Sequence, residues 1–198
     1  MTKPTILLHA CCGPCAEYPA RTLLAEGEVL QGYFYNPNIH PLIEWTRRRD
    51  NLLQLAELLG FPVIADPAYD EVPWLATDEP VPIRCRQCYQ LRLEQAASVA
   101  AENKIPVFTT TLLVSPYQDH EMIRETGEKA AAKYGVKFLY RDFRPGFREG
   151  QNQARADRLY RQKYCGCIRS LEESDFKEKI LRQQVEYAAI LPDPLVQR

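Results

Sequence analysis

Short apolar runs alternate with helical segments along most of the sequence. Runs rich in strand-forming residues lie at 5–10, 29–35, 61–65, 107–113 and 136–140. Helical patterns lie between and after them, from the first cysteine motif to about residue 27 and at 42–59, 88–103, 118–134 and 170–189. This alternation predicts an α/β fold, in which a Rossmann-like parallel sheet carries helices on both faces. Ligands of such folds bind at the carboxyl ends of the strands.

The length and the charge of the chain limit its class. Its 198 residues predict one α/β domain over 1–198, with a loop-rich insertion around 66–84 and an Arg-rich C-terminal segment at 141–198. Lys and Arg number 25 against 26 Asp and Glu, which excludes a globally basic nucleic-acid binder. The start lacks the apolar stretch of a signal peptide, and no run reaches the ~18 residues that span a bilayer. We therefore expect a cytoplasmic protein with no membrane partner.

Cysteines are the residues that most directly indicate chemistry. The chain has seven of them, in three groups: Cys11, Cys12 and Cys15; Cys85 and Cys88; and Cys165 and Cys167. An odd number of cysteines in a reducing compartment does not indicate a disulfide framework. Metal binding or redox chemistry is therefore favoured.

The first two groups together offer ligands for one metal centre. Cys85 and Cys88 are separated by two residues, a spacing at which both thiolates reach one metal. The adjacent Cys11 and Cys12 cannot comfortably chelate one tetrahedral zinc, but they can bind two irons of a cluster, or one cluster and a neighbouring metal. Four thiolates are the usual complement of a [4Fe-4S] cluster. A structural zinc site of the same four residues is the alternative.

The third group, Cys165-Gly166-Cys167, suits different chemistry. A disulfide between cysteines one residue apart closes a very small ring, which is strained and readily reduced. This spacing predicts a redox-active pair that forms a disulfide bond. Two further metal ligands, or an inert pair, are the alternatives, and spacing leaves Cys15 unassigned.

Three loops follow the first, second and fourth predicted strands, so they should open on the same edge of the sheet. Their polar residues are either candidate substrate contacts or ordinary turn residues. The candidates are Tyr35, Asn36, Asn38, Ser115 and Tyr117. His9 and His40 lie beside these loops, as proton donors, metal ligands or structural hydrogen-bonding residues. The basic group at 141–163 suits phosphate contacts, and Arg144 within it is a further substrate-binding candidate.

Six motifs occur in order along the chain. They are CCGPC, YNPNIHP, CRQCY, LLVSPY, YRDFR and YCGC. Together they resemble the motifs of the QueH family of epoxyqueuosine reductases, over a span from about Ile6 to Cys167. Six ordered motifs are far more specific than one pair of cysteines.

The resemblance implies an activity and a fold. It implies two-electron deoxygenation of epoxyqueuosine to queuosine at the wobble position of tRNAs for aspartate, asparagine, histidine and tyrosine, the final step of queuosine biosynthesis. The implied partners are tRNA carrying epoxyqueuosine and an external electron donor. The implied fold is a Rossmann-like unit resembling the adenine-nucleotide α-hydrolase (HUP) group, which agrees with the alternation of strands and helices.

The resemblance also implies the residues of the site. It places the ligands of a [4Fe-4S] cluster at Cys11, Cys12, Cys85 and Cys88. It treats the Cys165 and Cys167 pair as redox-active. An additional mononuclear iron beside the cluster is associated with the family, and its candidate ligands are Cys15, Asp142 and the redox-active pair.

Three other functions are distinguishable from this one. A tRNA sulfur-transfer or adenylating enzyme of the same fold would carry a Gly-rich pyrophosphate loop after the first strand, where this sequence has CCGPC. A zinc-stabilised tRNA-binding module would hold zinc without labile sulfide. A general thiol-disulfide oxidoreductase would work without iron.

Overall fold

A five-stranded parallel sheet organises this computed structural model, which describes residues 3–67, 69 and 79–190. The strands lie in the order β3-β2-β1-β4-β5. Their bounds are β1 Thr5–His9, β2 Val29–Phe34, β3 Val63–Ala65, β4 Val107–Thr110 and β5 Lys137–Phe138. Every neighbouring pair is parallel. The predicted α/β class and parallel sheet are confirmed.

Helices follow the strands in alternation. They are α1 Gly13–Ala25, α2 Leu42–Leu59, α3 Ile83–Glu102, α4 His120–Tyr134, α5 Phe147–Ala156, α6 Ile168–Glu172 and α7 Lys177–Ala188. Short 3-10 turns lie at Thr111–Val114 and Arg144–Gly146. None of these described helices is both long and apolar enough to cross a membrane.

The strand order reverses direction between β1 and β4, which places a crevice there. From β1 the chain moves outward to β2 and β3, then returns to β4 on the other side of β1 and continues to β5. Right-handed crossovers therefore put α1 and α2 on one face of the sheet and α3 and α4 on the other. The packing agrees, because α1 contacts α2 while α3 contacts α4. The loops after β1 and β4 diverge at this reversal, where ligands of such sheets bind.

The central strands form the core of the domain. Leu7 and Leu8 of β1, Phe34 of β2 and Phe108 of β4 are fully buried. Central strands covered by helices on both faces have continuous apolar runs, as β1 does in the sequence TILLH. This core fixes the carboxyl end of β1, from which the first cysteine loop departs.

Several boundaries differ from the predicted ones, and three of the differences affect the site or the C-terminal segment. β4 ends at Thr110 rather than near residue 113, because the Thr110 hydroxyl accepts a hydrogen bond from Leu112 N at 3.2 Å and caps a 3-10 turn. α3 begins at Ile83, five residues before the predicted start at 88, and so contains both Cys85 and Cys88. The predicted terminal helix is split into α6 and α7.

The predicted insertion around 66–84 lies partly outside the described residues. Residues 68 and 70–78 fall in that part, together with 1–2 and 191–198. Of the insertion, Tyr69 lies against His40 and Trp45, with ring centroids 5.5 Å and 6.0 Å apart.

Candidate metal centre

Three thiols converge in the loop between β1 and α1. The Sγ atoms of Cys11, Cys12 and Cys15 all lie within 4.8 Å of one another, and all three side chains are buried. Cys12 is the N-cap of α1, so the helix begins inside the CCGPC motif and its first turn carries Cys15. Positive partial charge at a helix N-terminus favours thiolates. The loop therefore presents three soft ligands at one point.

The small residue in this motif is required by close packing. A Cβ at Gly13 would lie 2.5 Å from the backbone oxygen of Asn51 in α2. Any side chain there would push α1 away from α2, and with it Cys12 and Cys15 on either side of the glycine.

Neighbouring polar side chains hold the three thiols. The Gln162 amide donates to Cys15 Sγ at 3.0 Å, and Cys12 Sγ donates to Gln162 Oε1 at 3.3 Å. The Thr111 hydroxyl donates to Cys11 Sγ at 3.5 Å. Hydrogen bonds from Cys12 and Cys15 hold the pKa of Cys11 well below its usual range. Burial raises the pKa of Cys12, and the hydrogen bond with Cys11 raises that of Cys15. Without metal, the group therefore favours one thiolate, at Cys11, and thiolate is the form that binds metal.

The other four cysteines line a second, smaller cavity. Its volume is about 40 Å³ and its lining is largely apolar. The cysteines in its wall are Cys85, Cys88, Cys165 and Cys167. The first two come from the first turns of α3, and the last two from the segment just before α6. The fold therefore brings together two pairs of cysteines that are about 80 residues apart in sequence.

The three thiols of the CCGPC motif lie next to the four cysteines of the small cavity. Cys165, Arg92 and Gln118 line both the small cavity and a larger one that reaches Cys11 and Cys15. Cys165 is exposed, whereas Cys11, Cys12 and Cys88 are buried. Thiolate sulfur is the ligand type preferred by zinc and by iron–sulfur clusters. The donors present in this crevice therefore fit a thiolate-bound metal cluster.

The larger cavity opens at the carboxyl ends of β1 and β4. Its volume is about 350 Å³. Of the predicted substrate contacts, Ser115 and Tyr117 line it. Tyr117 is 84% exposed and meets Phe147 edge to face, with ring centroids 6.1 Å apart. The cavity thus has an aromatic mouth and a floor of thiols.

Other predicted substrate contacts lie outside the linings of both cavities. Asn36 is fully buried and bridges two elements, because its amide donates to Ala10 O at 2.9 Å and accepts from Arg92 at 2.7 Å. Asn38 is also buried, and the ring of Tyr35 stacks on Tyr33 at 6.2 Å. A direct contact of these three with substrate stays a prediction.

Asp142 and Arg144 pair with each other. Arg144 donates to both Asp142 oxygens, at 2.8 Å and 2.6 Å, and these bonds lower the pKa of Asp142 to about 2. Neither residue lines the two cysteine cavities. Their predicted roles in iron and substrate binding stay predictions.

The two histidines beside the loops are built into the scaffold. His9 is fully buried, with Nδ1 2.8 Å from Thr110 Oγ1 and Nε2 3.2 Å from Tyr35 O. Burial, assisted by the charge of Arg92, lowers the pKa of His9 to about 3, so this ring is neutral at physiological pH. His40 is fully buried, and its Nδ1 lies 3.3 Å from Tyr69 Oη.

The Cys165-Gly166-Cys167 turn is held by a buried ion pair. Arg48 Nε donates to Glu44 Oε1 at 2.8 Å, and its two Nη atoms donate to the carbonyls of Tyr164 and Cys165, each at 2.9 Å. His40 N donates to Gly166 O at 2.8 Å. The turn is therefore fixed to α2 and to the loop that follows β2.

The expected disulfide between Cys165 and Cys167 is not present. All seven cysteines belong to the described part of the chain, and all are free thiols. Each sulfur of the pair has its own donor: Ser170 N to Cys167 at 3.4 Å, and the Gln118 amide to Cys165 at 3.9 Å. A hydrogen bond between the thiols lowers the pKa of Cys167 and raises that of Cys165.

Replacing Gly166 with alanine should destabilise the fold and lower turnover. Gly166 has φ +119°, and a Cβ there would lie 3.0 Å from both Arg48 Nη1 and Ile39 Cγ1. We expect the free energy of unfolding in urea to fall by about 1–3 kcal/mol. Gly27→Ala is the control, because Gly27 has φ +76° with open space around it and should cost only about 1 kcal/mol. Equal costs at the two positions would contradict the crowding at Gly166.

Several site residues were missed by sequence reasoning. Gln162 lies 147 residues from Cys15, and no local pattern links them. Phe147 is in the cavity wall but belongs to a polar segment. Arg92 had a detectable signal, because it follows Cys88 by four residues in one helix and therefore lies on the same face.

Comparison with known proteins agrees with the family resemblance of the six motifs. A model of the family described as Epoxyqueuosine reductase QueH matches residues 6–173. The Epoxyqueuosine reductase QueH of Histophilus somni is 39% identical over 194 residues, which cover 91% of this chain and 78% of the relative. That of Dehalococcoides mccartyi is 35% identical over 168 residues, which cover 84% of this chain and 92% of the relative.

Solved structures share the architecture at low identity. The U34-tRNA thiolase NcsA from Methanococcus maripaludis, solved with its [4Fe-4S] cluster, aligns with a TM-score of 0.54 and 16% identity, over 82% of this chain and 60% of that one. The zinc-inhibited teicoplanin deacetylase Orf2 aligns with a TM-score of 0.51 and 13% identity, over 77% and 83% of the two chains. These likenesses establish the α/β fold alone.

Proposed function

Because the chain belongs to the epoxyqueuosine reductase QueH family, it is an oxidoreductase of queuosine biosynthesis, and we propose that it deoxygenates epoxyqueuosine in tRNA with a thiolate-bound iron–sulfur centre. The positions of the cysteines support the iron–sulfur centre. The three groups of cysteines meet in one crevice, and Cys11, Cys15 and Cys165 open into the cavity of about 350 Å³. Family membership favours the reductase over a zinc-stabilised module or a general thiol-disulfide oxidoreductase.

The reaction has a definite balance of electrons and protons. Conversion of an epoxide to an alkene breaks two C–O bonds, consumes two electrons and two protons, and releases the oxygen as water. When bound, the iron–sulfur centre supplies electrons from its thiolate-held irons. An external donor must restore those electrons after each turnover.

We propose that Cys11, Cys12, Cys85 and Cys88 hold a [4Fe-4S] cluster. Two of these ligands come from the loop before α1 and two from the start of α3, and these two helices pack on opposite faces of the sheet. Cys15 lies within 4.8 Å of the first two and is a proposed ligand of an adjacent iron. Asp142 is another candidate ligand, and its pair with Arg144 would have to open first.

The cavity residues have distinct proposed roles. Tyr117 and Phe147 at the mouth offer aromatic surface to an unstacked base, which is how single-stranded RNA is commonly bound. The Ser115 hydroxyl lies in the wall beside them. Cys165 and Cys167 act as the redox-active pair, and Cys165 is the exposed member that faces the substrate.

A basic surface beside the cavity suits the tRNA backbone. In the part of the chain that the structure describes, Arg141 is paired with Glu26 and Arg144 with Asp142. By contrast, the other cations of the basic group at 141–163 have no carboxylate partner among the described residues: Arg148, Arg155, Arg158, Arg161 and Lys163. Lys163 also lines the cavity. We propose that these unpaired cations bind the phosphates next to the modified base.

Neutralising Arg155 and Arg158 should weaken tRNA binding and its salt dependence. Both residues are exposed; Arg155 lies in the last turn of α5, and Arg158 lies two residues beyond its end. In the double variant Arg155→Gln/Arg158→Gln, we expect the slope of log K against log salt concentration to fall by about 2, because each phosphate contact contributes about one. Fluorescence anisotropy with labelled anticodon stem-loop over a salt series measures this.

The matched control is the double variant Arg124→Gln/Lys133→Gln. It removes the same charge from α4, where Arg124 is paired with Glu128 and Lys133 with Glu94. Its slope should equal that of the wild type. Equal slopes for all three proteins would show that the tRNA backbone lies elsewhere.

The activity itself is tested on purified, anaerobically handled protein. Epoxyqueuosine-containing tRNA and a chemical reductant are supplied, and the nucleosides are separated after digestion. The proposal predicts one queuosine for each two electrons consumed. Unchanged epoxyqueuosine in the presence of a loaded metal centre and reductant would refute it.

A further inference from the structure

Arg92 is a buried charge with an unusual set of partners. Its residue surface is 2% exposed, and it lies in the middle of α3. Among the described residues, no carboxylate lies within ion-pair distance of its guanidinium. Arginine stays protonated even when buried, so its charge must be balanced by something else nearby.

The groups that face Arg92 are thiols and one amide. Its Nη2 donates to Asn36 Oδ1 at 2.7 Å, and its Nη1 lies 3.7 Å from Cys88 Sγ. Its Nε has no hydrogen-bond acceptor among the residues that the structure describes. The residue lines both cavities, so it lies where the thiols of Cys11 and Cys165 approach those of α3.

Arg48 is also buried, and it shows how the charge of a buried arginine is usually balanced. Arg48 is 1% exposed, and its Nε donates to the carboxylate of Glu44 at 2.8 Å. Its remaining donors are used by the carbonyls of Tyr164 and Cys165. The charge of Arg48 is therefore balanced by Glu44 and its donors are satisfied inside the protein, as is usual for buried ions. Arg92 lacks such a carboxylate, so its charge can be balanced only by the sulfurs beside it, as thiolates or as ligands of a metal centre.

We propose that Arg92 is the counter-charge of the metal centre and that it favours the reduced state of that centre. This inference rests on the proposed function. A [4Fe-4S] centre held by four thiolates carries net negative charge, and the charge grows by one on reduction. A guanidinium in a low-dielectric crevice interacts more strongly with the more negative state. Arg92 is thus a positioning and potential-setting residue, and no proton or electron passes through it.

The first test is a redox titration of the loaded protein, followed by visible absorption. In Arg92→Met, the equilibrium constant for one-electron reduction should fall at least tenfold, which is a midpoint shift of at least about 59 mV to more negative potential. Arg92→Lys retains the charge and should keep a midpoint close to that of the wild type. Arg124→Met removes an exposed, paired charge from α4 and should leave the midpoint unchanged.

A second readout separates this role from a merely structural one. Loading the wild-type protein with iron and sulfide should raise its thermal midpoint of unfolding, and the rise should be smaller in Arg92→Met. A purely structural Arg92 would lower the midpoints of the metal-free and loaded proteins by the same amount. Arg92→Lys again serves as the variant that keeps the charge if the methionine variant folds poorly.

These measurements distinguish failure of the proposed function from failure of the proposed role of Arg92. Wild-type protein that holds no iron and sulfide refutes the proposed function and leaves no centre for Arg92 to balance. Wild-type protein that holds a centre, with equal potentials in wild type and Arg92→Met, overturns the inference alone. An equal shift in Arg92→Met and Arg124→Met also overturns it, because the effect would then come from net charge.

Discussion

Replacing Cys165 with serine is expected to reduce the conversion of epoxyqueuosine to below about 1% of the wild-type rate, as for loss of a group that takes part directly in chemistry. The iron and sulfide content and the visible spectrum should stay those of the wild type. Cys165 is exposed and lines both cavities, whereas the proposed cluster ligands Cys11, Cys12 and Cys88 are buried. A serine there keeps the shape of the wall and removes the thiol.

The companion variant Cys167→Ser tests whether the two thiols work as a pair. Cys167 accepts from Ser170 N at the start of α6 and shares a hydrogen bond with Cys165. If the pair is redox-active, both single variants should be equally inactive, with normal metal content. A Cys165→Ser protein that still turns over would contradict the assignment. Loss of iron in that variant would instead make Cys165 a metal ligand.

Replacing Cys12 with alanine is expected to remove most of the bound iron and sulfide, and all activity with them. Cys12 is 1% exposed, caps α1 and donates to Gln162 at 3.3 Å. Loss of one of four thiolates leaves an iron without its protein ligand. Colorimetric iron and sulfide assays on anaerobically purified protein measure this, with the folded state checked by circular dichroism.

Cys15→Ala is the matched control for this experiment. Cys15 belongs to the same buried group, with its sulfur within 4.8 Å of those of Cys11 and Cys12. Under the proposed ligand set, this variant keeps about four sulfides and loses only an adjacent iron. If Cys15→Ala loses the cluster and a variant at Cys85 keeps it, the buried group of three is the core of the centre and the ligand set is wrong.

The architecture was largely predictable because strand and helix periodicities are local. β1, β2 and α2 have bounds within one residue of the predicted ones. α5 was missed for a physical reason: its sequence, FREGQNQARA, buries only Gly150 and Ala154. Small residues let this helix approach Tyr18 of α1 closely, and a helix packed in this way carries no stripe of large apolar residues.

The composition of the site was predictable, but its internal grouping was not. Spacing within CCGPC, CRQC and CGC identifies thiols that lie close together in the fold. Which of those groups face each other depends on how α3 and the segment before α6 pack, and no local pattern reports that. The same holds for Arg48, which is 117 residues from the Cys165 carbonyl that it holds.

The most direct test of the account is the iron and acid-labile sulfide content of wild-type protein purified without oxygen, together with its visible spectrum. The proposed centre predicts about four sulfides with four or five irons per chain, and a broad visible absorption. Zinc without sulfide would contradict it. The four proposed cluster ligands would then form a structural zinc site, and the proposed path of electrons to the epoxide would be wrong.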